Sequence, residues 1–313
     1  MDSPRIDILL ATRNGARLLE AQIDSLLSQE DVSFRILVRD DKSSDDTPAI
    51  IERYRVAHPD LITFLDSGEE LGALGNFARL LGEATAPYVA LSDQDDVWAA
   101  RKLRTLLSAM RDLEARHGAD TPLLIHCDLS VVDDALRELQ PSFWRYSGFD
   151  PERTSLARLL LKNTVTGCAS LVNLPLVRLA LPVPAAALLH DYWLALVAAA
   201  AGRMALVRQP LVAYRQHARN VVGAREYGWR PAIARLTSGA GTWDIEARRR
   251  QTAALLERCG ARLTPENRTV LEDFISLPER NWLGRRWTLL RHGIVMPGAM
   301  RNLALFFLTK LGA

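Results

Sequence analysis

Four short apolar runs, Ile6–Ala11, Phe34–Val38, Ile62–Leu65 and Tyr88–Leu91, punctuate the first part of this 313-residue chain. Helical patterns separate them, at Ala16–Gln29, Asp45–Tyr54 and Asn76–Ala84, and a long helix follows through Arg116. This order constrains the fold more than any other feature. Strand–helix alternation predicts an α/β chain built on a mostly parallel, doubly wound sheet. In such sheets ligands sit outside the carboxyl ends of the strands. The conspicuous polar clusters all lie there: Thr12-Arg13-Asn14, Asp40-Asp41, Gly72 to Asn76, and Asp93 to Asp96.

The densest cluster is Leu-Ser-Asp-Gln-Asp-Asp-Val-Trp at 91–98. Like charges repel and desolvation is costly, so Asp93, Asp95 and Asp96 beside a buried strand call for a positive partner. A hard divalent cation held by one or two carboxylates and substrate phosphates fits. Capping of the helix expected near Val97 accounts for one acid, Asp96, and leaves two. In the cluster Arg39 to Thr47, Ser44 or Asp45 reads as a helix cap. Asp40 and Asp41 precede it, where a carboxylate can accept from a nucleobase N–H or a ribose hydroxyl.

His190-Asp191-Tyr192-Trp193 opens an apolar helix. Asp191 reads either as its N-cap or as a general base beside an acceptor hydroxyl. Tyr192 and Trp193 are a sugar platform or plain core. The basic and amide residues around His217 suit a diphosphate. Leu71 to Phe77, which includes Asn76, carries two glycines before a helix and can approach a phosphate or sugar. The dinucleotide fingerprint, the Gly-Lys-Ser/Thr phosphate loop and the Gly-x-Ser-x-Gly elbow are all missing, which disfavours dehydrogenases, P-loop kinases and serine hydrolases of that type.

Further along, Leu123–Val132 and Gly167–Val172 read as strands and Asp191–Ala201 as a helix. Arg203–Val207 and Leu211–Arg215 read as a short strand pair across Gln209-Pro210, and the pattern beyond Asn220 is helical. With 48% hydrophobic and 24% charged residues, the composition is that of an ordinary globular protein. Cys127, Cys168 and Cys259 match no disulfide or metal spacing and suit a reducing cytosol. No signal-peptide pattern opens the chain, and the alanine-rich stretch near 184–205 is interrupted by His190, Asp191 and Arg203, so it is not a membrane span. Charge is uneven: 223–313 carries 15 Lys/Arg against 8 Asp/Glu, and 1–222 carries 24 against 29. No aromatic-interleaved basic or helix-turn-helix signature points to nucleic acid.

Taken in order, Ala11-Thr12-Arg13-Asn14, Asp40 to Thr47, Asp93-Gln94-Asp95, Thr166-Gly167-Cys168, His190-Asp191 and Gln216-His217 resemble a family 2 glycosyltransferase of the GT-A fold. The 91–98 string is similar to the bacterial rhamnosyltransferase-like branch. The resemblance spans about residues 5–222 and leaves 223–313 as a basic helical region. It implies that the Thr12–Asn14 loop cradles the base, Asp41 contacts base or ribose, and Asp93 holds ribose or the metal shell. Asp95 would ligate Mg²⁺ or Mn²⁺, His217 would complete the metal or diphosphate site, and Asp191 would be the base. Lys42 stands where glycine is common, and His190 where an acid often precedes the base.

The implied reaction is inverting transfer from a nucleotide sugar, dTDP-L-rhamnose or alternatively a UDP-sugar. Its acceptor would be a polyprenyl-linked saccharide in surface-polysaccharide assembly. A non-catalytic carbohydrate-binding protein on a degenerate GT-A fold is the other class, and retention of every acidic motif argues against it. At the C-terminus, Met300, Leu303, Phe307 and Leu311 form a helical stripe. It either docks on the catalytic domain or, helped by Arg285, Arg286 and Arg291, lies on an anionic bilayer at the inner face of the plasma membrane.

Overall fold

Strand β1 (Ile6–Thr12) lies inside the sheet and is covered on both faces, as a parallel strand must be. Ile6, Ile8 and Leu10 join one core cluster and Leu9 the opposite one, the period-two alternation of a pleated strand. The computed structural model describes residues 6–65, 68–216, 245–296, 302 and 306. After β1 come α1 (Ala16–Leu27), β2 (Phe34–Asp40), α2 (Thr47–Ala57), β3 (Ile62–Leu65), α3 (Gly72–Glu83) and β4 (Tyr88–Ser92). The four strands pair in parallel in the order β3-β2-β1-β4, as the alternation predicts.

The second half is mixed. It runs β5 (Val97–Trp98), α4 (Lys102–His117), β6 (Leu123–Val132), β7 (Glu138–Gln140), α5 (Phe143–Ser147), α6 (Leu156–Leu159), β8 (Ser170–Asn173), α7 (Leu174–Ala180), α8 (His190–Ala201) and β9 (Arg203–Arg215). Strand β8 inserts antiparallel between β4 and β6, and β9 runs parallel to β6 and antiparallel to β5. Three sequence expectations change here. Residues 167–169 form a 3₁₀ turn rather than the start of a strand. Arg203–Arg215 is one strand, not a pair, because Pro210 sits at a register shift against β6 where no ladder N–H is needed. Val97 and Trp98 pair with β9, and the next helix starts at Lys102, so Asp96 is not its cap.

Helices α9 (Ile245–Cys259), α10 (Pro265–Ile275) and α11 (Trp282–Arg291) close the described chain. Leu255, Phe274 and Leu289 are fully buried in the same core cluster as Leu9 and Trp193, so these helices share the core of the sheet domain. The 222/223 boundary, His217 and the stripe residues Met300, Leu303, Phe307 and Leu311 lie outside the described residues. Among the described residues no helix is long and apolar enough to cross a membrane.

One buried charge interrupts the apolar β1. Asp7 Oδ1 accepts from Arg35 Nε at 2.6 Å, and Oδ2 accepts from Arg35 Nη2 at 3.0 Å. The amides of Thr85 and Ala86 donate to the same Oδ2 at 2.8 and 2.9 Å. The carboxylate thus fixes the α3–β4 loop and sets where β4 begins.

Candidate active site

Beyond the carboxyl ends of β1, β2 and β4 the chain encloses a cleft of about 800 Å³. Of the sequence-predicted residues, Thr12, Arg13, Asn14, Asp41, Asn76, Asp93, Asp95 and Asp191 all line it. The structure therefore gathers residues from positions 12 to 191 at one sheet edge.

The β1–α1 loop is stitched to the β2–α2 loop. Thr12 Oγ1 donates to Asp40 Oδ1 at 2.9 Å, and the Asn14 amide donates to Ser43 Oγ at 2.7 Å. Asn14 Oδ1 accepts from the Ser44 amide at 2.8 Å, and the Gly15 amide donates to Thr47 Oγ1 at 2.9 Å. The N-cap of α2 is Asp46, not Ser44 or Asp45; Asp45 instead accepts from the Thr47 amide at 3.0 Å. Asn14 and Lys42 hold φ of 48° and 57°. An L-residue in this left-handed region costs about 1 kcal/mol or more. The turn that glycine would favour at Lys42 is thus kept, with the lysine exposed.

Asp41 and Asn76 are buried in the floor. Asp41 Oδ1 accepts from the Leu71 amide at 2.8 Å and from Arg39 Nη1 at 3.1 Å, while Oδ2 accepts from the Gly72 amide at 2.8 Å. Asn76 Oδ1 accepts from the same Arg39 Nη1 at 3.1 Å. A carboxylate offers about four acceptor positions, and three are taken by the protein. A nucleoside contact at Asp41 would use what remains. The sequence gives no sign of this role for Arg39, because an arginine closing an apolar strand looks solvent-bound.

The acidic loop forms the next wall. Gln94 Oε1 accepts from the Arg13 amide at 2.8 Å, and its Nε2 donates to the Arg13 carbonyl at 2.9 Å. This clamp needs a glycine beside it, since a Cβ on Gly15 would lie 2.2 Å from Gln94 Oε1. Asp96 turns inward and is fully buried. Its Oδ1 accepts from the Arg215 amide at 3.4 Å, and among the described residues its Oδ2 makes no N–H or O–H hydrogen bond. Oxygens of Asp93 and Asp96 and the Cys168 sulfur all lie within 4.8 Å of one another. Burial, then repulsion from Asp96, Asp95 and Asp191, holds the Asp93 carboxyl well above its usual range. Burial, then Asp95, pushes Asp96 up to about 7.

A cation would relieve both strains, and the donor chemistry fits one. Carboxylate oxygens and an orphaned buried acceptor suit a hard ion such as Mg²⁺ or Mn²⁺. Cys168 is a poor ligand, because burial first, and then Asp96 and Asp93, keep its thiol protonated.

Beneath the acids lies Lys102, fully buried, its Nζ donating to the Cys168 carbonyl at 2.6 Å and facing the Trp98 ring. Burial lowers its pKa to about 7. A lysine on the apolar stripe shared with Leu106 and Met110 was the available sequence signal.

Helix α8 supplies the opposite wall. Its N-cap is Leu189, so Asp191 is the second helical residue and not the cap. Asp191 Oδ2 accepts from the Gly167 amide at 3.1 Å and Oδ1 from the Tyr192 amide at 2.6 Å. Burial raises its pKa to about 6, which suits a proton acceptor near neutrality. Gly167 permits this approach, since a Cβ there would sit 3.2 Å from Asp191 Cβ. His190 stacks on Phe77 at 3.7 Å between ring centroids, and burial keeps it neutral, with a pKa near 3.

Trp193, expected as a sugar platform, is instead fully buried and donates from Nε1 to the Ala180 carbonyl at 2.9 Å. Tyr192 is buried too, its hydroxyl donating to the Leu159 carbonyl. Both rings belong to the core.

Residues 7–158 match the sequence model of Glycosyl transferase family 2. The chain is 34% identical over 105 residues to "dTDP-rhamnosyl transferase RfbG" of Shigella flexneri, a match covering 32% of this chain and 36% of that protein. It is 32% identical over 112 residues to "UDP-Glc:alpha-D-GlcNAc-diphosphoundecaprenol beta-1,3-glucosyltransferase WfgD" of Escherichia coli, covering 35% and 42%. It thus spans about a third to two fifths of the length of these curated relatives.

Among solved structures it is similar to a mannosyltransferase of Pyrobaculum calidifontis in complex with GDP-Man and Mn²⁺. The TM-score is 0.53 at 17% identity, covering 93% of this chain and 86% of that one. S. aureus TarS in complex with UDP gives a TM-score of 0.52 at 15% identity, covering 92% and 89%. The shared architecture is the GT-A fold.

Proposed function

We infer that the chain is a metal-dependent, inverting glycosyltransferase, because residues 7–158 match the sequence model of Glycosyl transferase family 2. The observation that carries this reading is Asp191, held by the Gly167 amide in the same cleft as Asp93 and Asp95. The donor is a nucleotide sugar seated on the Thr12–Asn14 loop, with its diphosphate toward the acidic loop. The name of the Shigella flexneri relative supports dTDP-L-rhamnose as donor, and that of the Escherichia coli relative supports a UDP-sugar as the second reading. The latter and a Campylobacter jejuni glucosyltransferase, 31% identical over 104 residues, carry undecaprenol-linked saccharides in their names, which supports a lipid-linked acceptor.

Asp191 takes the proton of the acceptor hydroxyl as its oxygen attacks the anomeric carbon. The new C–O bond forms as the bond to the diphosphate breaks on the opposite face. One displacement with one base inverts the centre, and no carboxylate nucleophile is needed. A divalent cation held by Asp95 and Asp93, with the buried Asp96 carboxyl beside Asp93, would supply the charge that neutralises the departing diphosphate. Arg13 and the Gln94 clamp orient the donor. The Leu71–Gly72 turn, tied to Asp41, shapes the floor beneath it.

Donor screening tests this. Nucleoside-diphosphate release is measured with dTDP-rhamnose, UDP-sugars and GDP-sugars, using undecaprenyl-diphosphate saccharides as acceptors, with Mg²⁺, Mn²⁺ or EDTA. Turnover with one donor class, abolished by EDTA, is expected. No turnover with any donor, together with saccharide binding in calorimetry, would identify a carbohydrate-binding module instead.

A further inference from the structure

Large apolar side chains of helix α11 are exposed along one side. Trp282, Leu283, Trp287 and Leu290 are 53%, 70%, 65% and 57% exposed, while Thr288 on the other side and Leu289 at the edge next to Trp282 are buried. At about 100° per residue the four fall within an arc of roughly 140°, a continuous stripe along a ten-residue helix. They are four of the seven exposed large hydrophobic residues among those described. Side chains scattered singly need no explanation, but a contiguous patch does.

The charges say what kind of surface covers it. Arg286 lies within the stripe, its guanidinium 4.3 Å from the centre of the Trp282 ring, and exposed Arg291 sits at the rim. From Arg280 to Ala313 the chain has six Lys/Arg and no Asp/Glu. A second copy docking face to face would set arginines against arginines with no acid to offset them. Indole rings with leucines, edged by arginine, match the headgroup–acyl boundary of a bilayer, where Trp anchors and anionic headgroups attract basic residues.

We propose that the outer face of α11 is a membrane-binding surface, seating Trp282, Leu283, Trp287 and Leu290 at the boundary of an anionic bilayer with Arg291 on its phosphates. The surface is separate from the cleft and does not depend on the transfer reaction. If that reaction uses a lipid-linked acceptor, the same face places the enzyme where the acceptor is.

Flotation of the full chain with phosphatidylcholine vesicles, with and without phosphatidylglycerol, tests the assignment. Binding that requires phosphatidylglycerol is expected. Leu283→Glu and Trp287→Glu should each weaken it about tenfold or more, and Arg291→Gln about fivefold. All three positions are exposed, so far-UV dichroism and thermal unfolding should be unchanged. Brominated lipid should quench tryptophan fluorescence in the unaltered chain, which reads the contact without any variant. No vesicle binding would overturn the proposal. So would binding that both glutamate variants leave intact, or a dimer in solution that Leu283→Glu dissociates without vesicle affinity. Donor turnover, measured separately with a soluble acceptor, succeeds or fails independently.

Discussion

Replacing Asp191 by Asn should cost activity and gain stability, with both effects depending on pH. Burial raises the carboxyl from 3.8 to about 6. Between these values the folded chain binds a proton that the unfolded chain has lost, so stability falls as pH rises through that window. A shift of this size corresponds to at most about 3 kcal/mol, and less because Asp191 is partly open to the cleft. Asn removes this penalty but keeps only one acceptor for the Gly167 and Tyr192 amides, losing a hydrogen bond of about 1 kcal/mol. At about pH 8 the variant should therefore be more stable by about 1–2 kcal/mol, and near pH 4 the advantage should vanish or reverse. Denaturant titrations of both proteins across that range, without substrate or metal, measure the difference directly.

Kinetics supply the second half of the test. Loss of a general base lowers rates by about 10²–10⁴. The wild-type kcat/KM should fall about tenfold per pH unit below roughly pH 6, as the protonated fraction grows. The Asn variant should lack that limb. A stability difference that ignores pH would refute the burial argument, and transfer retained within about tenfold would refute Asp191 as the base.

Two further outcomes follow from contacts away from the base. Gln94→Ala removes both bonds between the acidic loop and Arg13. It should raise the donor KM about tenfold while kcat stays within a few-fold, since each neutral hydrogen bond contributes about 0.5–1.5 kcal/mol. Asp7→Asn breaks a buried ion pair that also holds two backbone amides. A loss of about 3–5 kcal/mol in denaturant unfolding is expected, with donor KM unchanged in the folded fraction.

Much of the site was legible because its polar residues follow apolar strands, and a parallel sheet brings those ends together. What failed depended on distant partners or on direction. Asp96 followed by Val-Trp-Ala-Ala looks like a helix start, but Val97 and Trp98 pair with Ala213 and Val212, far along the chain. Trp193 is two residues from Asp191, and positions i and i+2 on a helix do not share a face. One points to the cleft and the other to the core. Gln209-Pro210 has turn chemistry, yet the strand continues through it because the shift lies in the pairing with β6. Arg39 and Gln94 act through backbone groups that no local pattern reveals, whereas Lys102 is marked by its place on an apolar helical stripe.

The turn at 167–169 has a consequence for how the cleft keeps its shape. Consecutive residues face both walls: the Gly167 amide holds Asp191, and the Cys168 carbonyl holds the Lys102 ammonium beneath the acidic loop. The two walls of the cleft are joined by one peptide strut, so their spacing is set by the fold itself. The excursion between β6 and this strut, carrying β7, α5 and α6, is tied to the same wall, since the Leu159 carbonyl of α6 accepts from the Tyr192 hydroxyl beside Asp191. On the proposed reaction, that strut would fix the distance between the base and the acids that face the diphosphate.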